Sequence, residues 1–330
     1  MSTWLVTGGA GYIGAHIVRA FLAQGLDVVV VDDLSSGHES FVPAGVPFVR
    51  TSILDTAALT AVLREHAVAG VVHLAGFKYA GVSVRRPLHT YEQNVTGTAS
   101  VLQAMADAGV SSLVFSSSAA VYGTPHTDLV TEATATAPES PYGESKLIGE
   151  WLLRDQARAT AESDAPLRHT SLRYFNVVGS ADESVVDTSP HNLFPLALES
   201  VAAGRTPTIF GDDYPTPDGT CVRDYVHVGD IALAHVAAAQ ALDAGRTLEP
   251  AYNLGSGDGV SVRQIMTAVA AVTGRDVEPT VAPRRPGDPA RIVASGELAT
   301  RDLGWKMRHD LVEMVASDWR ARSAARAEQS

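Results

Sequence analysis

The sequence predicts a doubly wound, parallel α/β sheet followed by a second, smaller α/β domain. Three observations carry this. Apolar strand-like runs alternate with helix-like segments up to Asn176. Val28–Val31 is four valines in a row, which suits a strand covered on both faces. A glycine-rich run, Gly8 to Gly14, stands between the first apolar run and the first helical segment. Alternating strands and helices make βαβ units, and right-handed crossovers wind them on both faces of one sheet.

In chain order, Trp4–Thr7 reads as a strand and Ile13–Leu22 as a helix stopped by Gly25. Val28–Val31 and Val46–Val49 are the next strands, Ala57–Glu65 a helix and Val71–Leu74 a strand. The spacing then predicts one long helix over Leu88–Ala108, the strand Leu113–Ser116, helix Tyr142–Ala161 and strand Thr170–Tyr174. After Asn176 the rhythm loosens. Ser180–His191 is polar and irregular, Gly211–Gly219 is rich in turn residues, and Pro279–Pro289 reads as extended chain. Helices are expected over Ile231–Ala244, Val262–Thr273 and Leu311–Arg322, with frayed last residues. The domains are set at 1–177 and 178–330, with parts of 220–250 packing back on the first.

A chain of 330 residues, 45% hydrophobic and 19% charged, buries a core without staples. Its one cysteine, Cys221, excludes an internal disulfide framework and a cysteine-rich zinc site. We read it as incidental packing. The 11 histidines include no H-x-x-x-H pair, so no metal is expected. A net charge of −12 argues against nucleic-acid partners and an anionic membrane surface. No run is long and apolar enough to span a bilayer, and Met1–Gly14 lacks the pattern of an export signal. A cytoplasmic enzyme is the expectation.

Gly8-x-x-Gly11-x-x-Gly14 follows a strand and opens a helix, the context in which glycines let the backbone approach a pyrophosphate. This makes the first domain Rossmann-like. Asp32-Asp33 ends the second strand. A carboxylate there accepts from a ribose diol and repels a 2′-phosphate, which favours NAD over NADP. Asp33 suits a solvated turn better than Asp32.

Tyr142-x-x-x-Lys146 opens a helix and places both side chains on one face. An ammonium beside a phenol lowers its pKa from about 10, towards use as a base. Ser116-Ser117-Ser118 ends the fifth strand, on the sheet edge where open α/β folds bind ligands. A hydroxyl there can share a proton with Tyr142.

The segments TGGAGYIGAH (7–16), HLAGFK (73–78), NVTGT (94–98), FSSSAAVYG (115–123), SPYGESK (140–146), LRYFNVVG (172–179), IFGDDYPTPDGTCVRDYVHV (209–228), YNLGSG (252–257) and RRPGD (284–288) resemble the extended short-chain dehydrogenase/reductase family. Within it the chain is most similar to the UDP-glucose 4-epimerases. The resemblance implies reversible C4 epimerisation of UDP-galactose and UDP-glucose through a 4-keto sugar with bound NAD. Ser118, Tyr142 and Lys146 are then catalytic, with Tyr142 as the base. It implies cofactor contacts from Gly8, Gly11, Tyr12, Ile13, Gly14, Asp32, Asp33, Leu34, Ser52, Ile53, Leu74, Ala75, Gly76, Lys78, Gln93, Ser116 and Phe175, besides Tyr142 and Lys146. It implies substrate contacts from Ser118, Asn176, Asn192, Leu193, Ile209, Phe210, Arg223, Arg285 and Asp288. Ser52, Gln93, Val177 and Cys221 depart from the family pattern. The resemblance also implies a homodimer built from helices in 88–108 and 142–161.

Ile292 stands where the family gates its sugar pocket, and equally suits strand core. An epimerase acting on UDP-N-acetylglucosamine and UDP-N-acetylgalactosamine is the nearest alternative. A 4,6-dehydratase would need an acid pair where Ala119-Ala120 stand, and a non-catalytic NAD sensor would not need Tyr142.

Overall fold

The structure, a computed structural model, describes residues 2–189, 192–285 and 288–327. The first half runs β1 Thr3–Thr7, α1 Tyr12–Ala23, β2 Asp27–Asp32, β3 Phe48–Arg50, α2 Thr56–Glu65, β4 Val68–His73, α3 Ala80–Ser83, α4 Pro87–Tyr91, α5 Gly97–Ala108, β5 Ser112–Ser118, α6 Pro141–Ala159 and β6 Arg168–Tyr174. There follow β7 Asn176–Val178, α7 Leu193–Ala202, β8 Thr208–Phe210, β9 Val222–Arg223, β10 Tyr225–His227, α8 Val228–Asp243, β11 Ala251–Leu254, β12 Val260–Ser261, α9 Val262–Thr273, β13 Thr280–Ala282, β14 Arg291–Ile292, α10 Glu297–Leu303 and α11 Leu311–Ala327. Among the described residues the main sheet is seven-stranded, in the order β3-β2-β1-β4-β5-β6-β11. Every pairing in it is parallel.

Each strand side chain points to the face opposite that of its neighbour. Trp4, Val6, Val28 and Val30 therefore pack on one face, under Ile17, Val18 and Phe21 of α1 and the alanine-rich α8. Leu5, Val29 and Val31 pack on the other, against Leu59 and Leu63 of α2, Val101 and Met105 of α5 and Leu153 of α6. The four-valine strand is buried on both faces, the condition its sequence was suited to. A separate cluster of β7, β10, α7, α9 and α11 side chains forms the core of the later region.

Residues 228–254 return to the main sheet: α8 covers one face and β11 adds its last strand. The chain departs from the sequence expectation in other places. Strand β11 is four residues long and followed by a Gly-Ser-Gly turn, too short for its pattern to show. Helices α7 and α10 were not foreseen. The expected strand over Val46–Val49 is shifted to Phe48–Arg50, because Pro47 has no N–H for the ladder and only its carbonyl is used, by Val30 N at 2.8 Å. The expected helix Leu88–Ala108 is interrupted by a wide π-turn over Glu92–Thr96, where Asn94 turns inward. Pro190, His191, Pro286, Gly287 and the C-terminal residues, for which irregular, extended and frayed chain was expected, lie outside the described residues.

Several histidines are sealed in this interior. His73 is 1% exposed, between Thr7 Oγ1 (2.8 Å) and Thr98 Oγ1 (3.1 Å). Burial holds His73 and His16 down to about 3, and His227 and His235 to about 4. Each is neutral in the fold and free to take a proton when unfolded. A folded pKa below the unfolded value of about 6.5 gives stability that is complete above it and lost as pH falls, at about 1.4 kcal/mol per histidine per pH unit. Asp318, raised to about 6 by burial, opposes only one of the four. The urea midpoint should therefore drop markedly between pH 7.5 and pH 5. An unchanged midpoint would show that these rings are not held neutral.

Candidate active site

The site begins where β1 ends. Gly8 has φ +75° and its amide donates to Val31 O at 2.8 Å, turning the chain sharply across β2. A Cβ on Gly14 would lie 2.1 Å from Gly8 O, so only glycine lets α1 start this close to the strand. Gly11 caps α1 with no side-chain hydrogen bond, which leaves first-turn N–H groups facing the cleft. Asp32 Oδ2 accepts from Ala10 N (3.1 Å) and Oδ1 from Leu34 N (2.8 Å). Burial raises the Asp32 carboxyl, and these two amides pull it back down. Leu34 takes a left-handed backbone, φ 62°, to complete that turn.

A cleft of about 760 Å³ runs along the C-terminal edge of the sheet. Its wall carries Gly8, Gly11, Tyr12, Ile13, Gly14, Asp32 and Asp33 at one end. Ile53, Leu74, Ala75, Gly76, Lys78, Gln93, Ser118, Tyr142, Lys146, Phe175 and Asn176 follow, and then Asn192, Leu193, Phe210, Arg223, Arg285 and Asp288. The bare helix end, the glycines and Asp32 fit a dinucleotide: a pyrophosphate needs N–H donors without an intervening Cβ, and an adenosine ribose needs a carboxylate.

Midway, β5 and α6 bring the reactive groups together. Ser140 caps α6 through Gly143 N at 3.2 Å, and Pro141 starts its first turn. Tyr142 stands at the helix start, hydrogen-bonded to Ser118. Lys146, one turn on, is 7% exposed and donates from Nζ to Ser116 O at 2.8 Å. Its ammonium lies 6.0 Å from the Tyr142 ring centre. Burial lowers Lys146 to about 8. Burial also raises the Tyr142 phenol, and the Ser118 hydrogen bond lowers it. Burial is the larger of the two effects, so positive charge at the cleft, from an ammonium and a bound nicotinamide, must be close and dry to make Tyr142 a base.

Some expected residues are elsewhere. Ser116 lies behind the wall, its hydroxyl bonded to Tyr174 Oη. Ser52 and Leu34 support turns without reaching the cleft wall; Ser52 Oγ accepts from Leu54 N at 3.2 Å. Ile209 is 1% exposed and packs with Ala197 and Met266. Ile292, half-buried, packs beside the cleft residue Phe175 on Val121, Tyr122 and Leu147. Asn176 Nδ2 is engaged by Asp224 O at 2.9 Å and Asn192 Nδ2 by Asp187 Oδ2 at 2.7 Å. The Arg285 guanidinium stacks 3.9 Å above Phe210, and Arg223 pairs with Asp288 at 3.7 Å. Cys221 is a buried free thiol at the cleft wall.

Sequence reading missed Asn94. From the π-turn its Oδ1 accepts from Phe77 N (2.6 Å), and its Nδ2 donates to Phe77 O (3.0 Å) and Ser145 Oγ (2.8 Å). Ser145 in turn donates to Tyr142 O at 2.7 Å. The loop over 74–78 and the catalytic helix are thus fastened together. The NVTGT segment contained this residue, but a helical pattern gave no sign that it would turn inward. Arg86, Tyr174 and Asp187 also line the cleft; Asp187, in an irregular stretch, left no signal.

The profile of the NAD dependent epimerase/dehydratase family matches residues 4–255. A UDP-glucose 4-epimerase of Lacticaseibacillus casei is 41% identical over 317 residues, 95% of this chain and 94% of that one. A solved UDP-glucose 4-epimerase from Stenotrophomonas maltophila, with bound NAD and formylated UDP-arabinopyranose, superposes with a TM-score of 0.92 at 41% identity, covering 99% and 100% of the chains. One from Bifidobacterium longum, in complex with NAD+ and UDP, gives a TM-score of 0.86 at 36% identity over 98% of both. With the glycine loop, the Tyr-x-x-x-Lys helix and the strand-end serine meeting in one cleft, these likenesses establish that the chain belongs to the NAD dependent epimerase/dehydratase family.

Proposed function

We propose that the chain is an NAD-dependent isomerase that reversibly epimerises C4 of UDP-galactose and UDP-glucose. The observation that carries this is the convergence of Ser118, Tyr142 and Lys146 midway along one cleft, with the dinucleotide cradle at one end and Arg223 and Arg285 at the other. Bound NAD supplies a two-electron acceptor that takes a hydride from C4 and later returns it. Tyr142 takes the proton from the C4 hydroxyl and gives it back, with Ser118 bridging. Lys146, held on Ser116 O, stabilises the phenolate. Gly8, Gly11 and Gly14 admit the pyrophosphate, and Asp32 holds the adenosine ribose.

At the far end, Arg223 and Arg285 hold the substrate diphosphate through planar forks that donate bidentately. Phe210, 36% exposed, offers an apolar face to the uracil. The nucleotide is thereby anchored while the sugar has few partners, which lets a flat 4-keto sugar present either face. Relatives of solved structure that hold UDP or a UDP-sugar support the substrate class. We further infer a homodimer through α4 and α6. Leu88 is 84% and Trp151 45% exposed on these helices, apolar side chains that a second copy would cover.

Two variants separate the roles. Tyr142→Phe should lower kcat for UDP-galactose by about 10²–10⁴-fold, with NAD still carried by the purified protein. Asp32→Ala should do the reverse, losing NAD on purification but turning over when NAD is added. Near-normal kcat in Tyr142→Phe would remove this tyrosine from the chemistry, and a wild type without turnover of UDP-galactose would overturn the reading. By sedimentation, the wild type should run as a dimer and Leu88→Glu/Trp151→Glu as a monomer. A monomeric wild type would contradict the assembly.

A further inference from the structure

Three consecutive serines at the end of β5 meet three residues of α6 spaced four apart. Ser118 is hydrogen-bonded to Tyr142. The Ser116 carbonyl accepts from Lys146 Nζ at 2.8 Å. Ser117 Oγ donates to Glu150 Oε1 at 2.6 Å. Positions i, i+4 and i+8 share one helix face, so the whole catalytic face of α6 is fastened to the strand end.

Glu150 is held a second time. Arg173 of β6 grips it bidentately, Nε to Oε1 at 2.8 Å and Nη2 to Oε2 at 2.5 Å. The two side chains are 9% and 10% exposed. Arg173 Nη1 donates to Tyr122 Oη at 2.8 Å, and Tyr122 donates to Asn253 Oδ1 of β11 at 2.8 Å. A buried ion pair is a poor source of stability, since well-packed apolar residues of similar volume often serve as well. Its place, one helical turn beyond Lys146, gives it another use.

We propose that Glu150, fixed by Arg173 and Ser117, is a positioning residue for the reaction, setting the register of α6 on β5 and supplying the negative charge that keeps the Lys146 ammonium in place. The inference rests on the proposed epimerase reading. The groups facing Lys146 are the Phe115 ring at 5.0 Å and the Ser116 carbonyl on β5, Tyr142 and Glu150 on α6, and neutral His73 on β4. Those facing Glu150 are Ser117, Arg173 and Lys146, with His169 of β6 nearby. Burial drives Lys146 down to about 8, and Glu150 acts against that fall. Without the carboxylate, the ammonium is lost at lower pH.

The test compares wild type, Glu150→Gln and Glu150→Gln/Arg173→Met in kcat for UDP-galactose against pH, with KM, thermal midpoint and NAD content alongside. The single variant leaves a buried guanidinium unpaired and can fail to fold; the double variant removes both charges at similar volume. The expected result is a folded double variant with NAD content and KM near wild type, and kcat about ten- to a hundredfold lower. Its alkaline limb should move to lower pH, and that of a folded Glu150→Gln should move further, by about one unit, because the uncompensated Arg173 charge adds to the effect. A folded double variant with wild-type kcat and alkaline limb would overturn the proposal while leaving the epimerase reading intact. Failure of both variants to fold would assign the pair to stability and overturn it as well. A wild type without C4 epimerase activity would instead remove the reading beneath it.

Discussion

The site depends on a buried ammonium. Lys146 is sealed between α6 and β5 and reaches a strand-end carbonyl, not a carboxylate, at 2.8 Å. An ion placed this way is costly unless its surroundings are fixed. The chain fixes them repeatedly. Ser140 caps the helix, Asn94 and Ser145 fasten its first turn to the loop over 74–78, Ser83 Oγ accepts from Tyr142 N at 3.1 Å, and Glu150 anchors the next turns. A phenol that burial would leave protonated is thereby kept in reach of positive charge, the condition for proton transfer at neutral pH.

The parallel sheet supplies the platform. Its inner strands are buried on both faces, and its C-terminal edge collects the glycine loop, Asp32 and the serines from separate strands, with Asn176 of the neighbouring β7 facing the same cleft. The return of α8 and β11 to that sheet joins the later region to it, and carries Arg223 and the β9 segment to within one cleft of Gly8. The chain is acidic overall, yet Lys78, Arg86, Lys146, Arg223 and Arg285 face the cleft. Local charge, not the total of −12, decides whether an anionic nucleotide is attracted.

Much of this was legible in the residues. The valine run, the three spaced glycines and Tyr142-x-x-x-Lys146 each impose a local geometry, and the structure has all three. What stayed hidden depends on contacts distant in sequence. Nothing in a helical pattern shows that Asn94 turns inward to the Phe77 backbone, and nothing in the strand pattern shows that Ile292 packs beside Phe175. Strand β11 is short and finds its place only because β6 has an open edge. The burial of the Tyr142 phenol is hidden for a similar reason: spacing along a helix fixes a neighbour but not its desolvation.

The central claim is that the C4 hydride is removed and returned within one closed cleft, while the proton alone passes through Tyr142. UDP-galactose carrying deuterium at C4, turned over by the holoenzyme in ordinary water, tests this most directly. The account predicts UDP-glucose that retains deuterium at C4, read by nuclear magnetic resonance. Protium from solvent at that carbon would contradict it, because C4 would then have been inverted by proton exchange and not by hydride return.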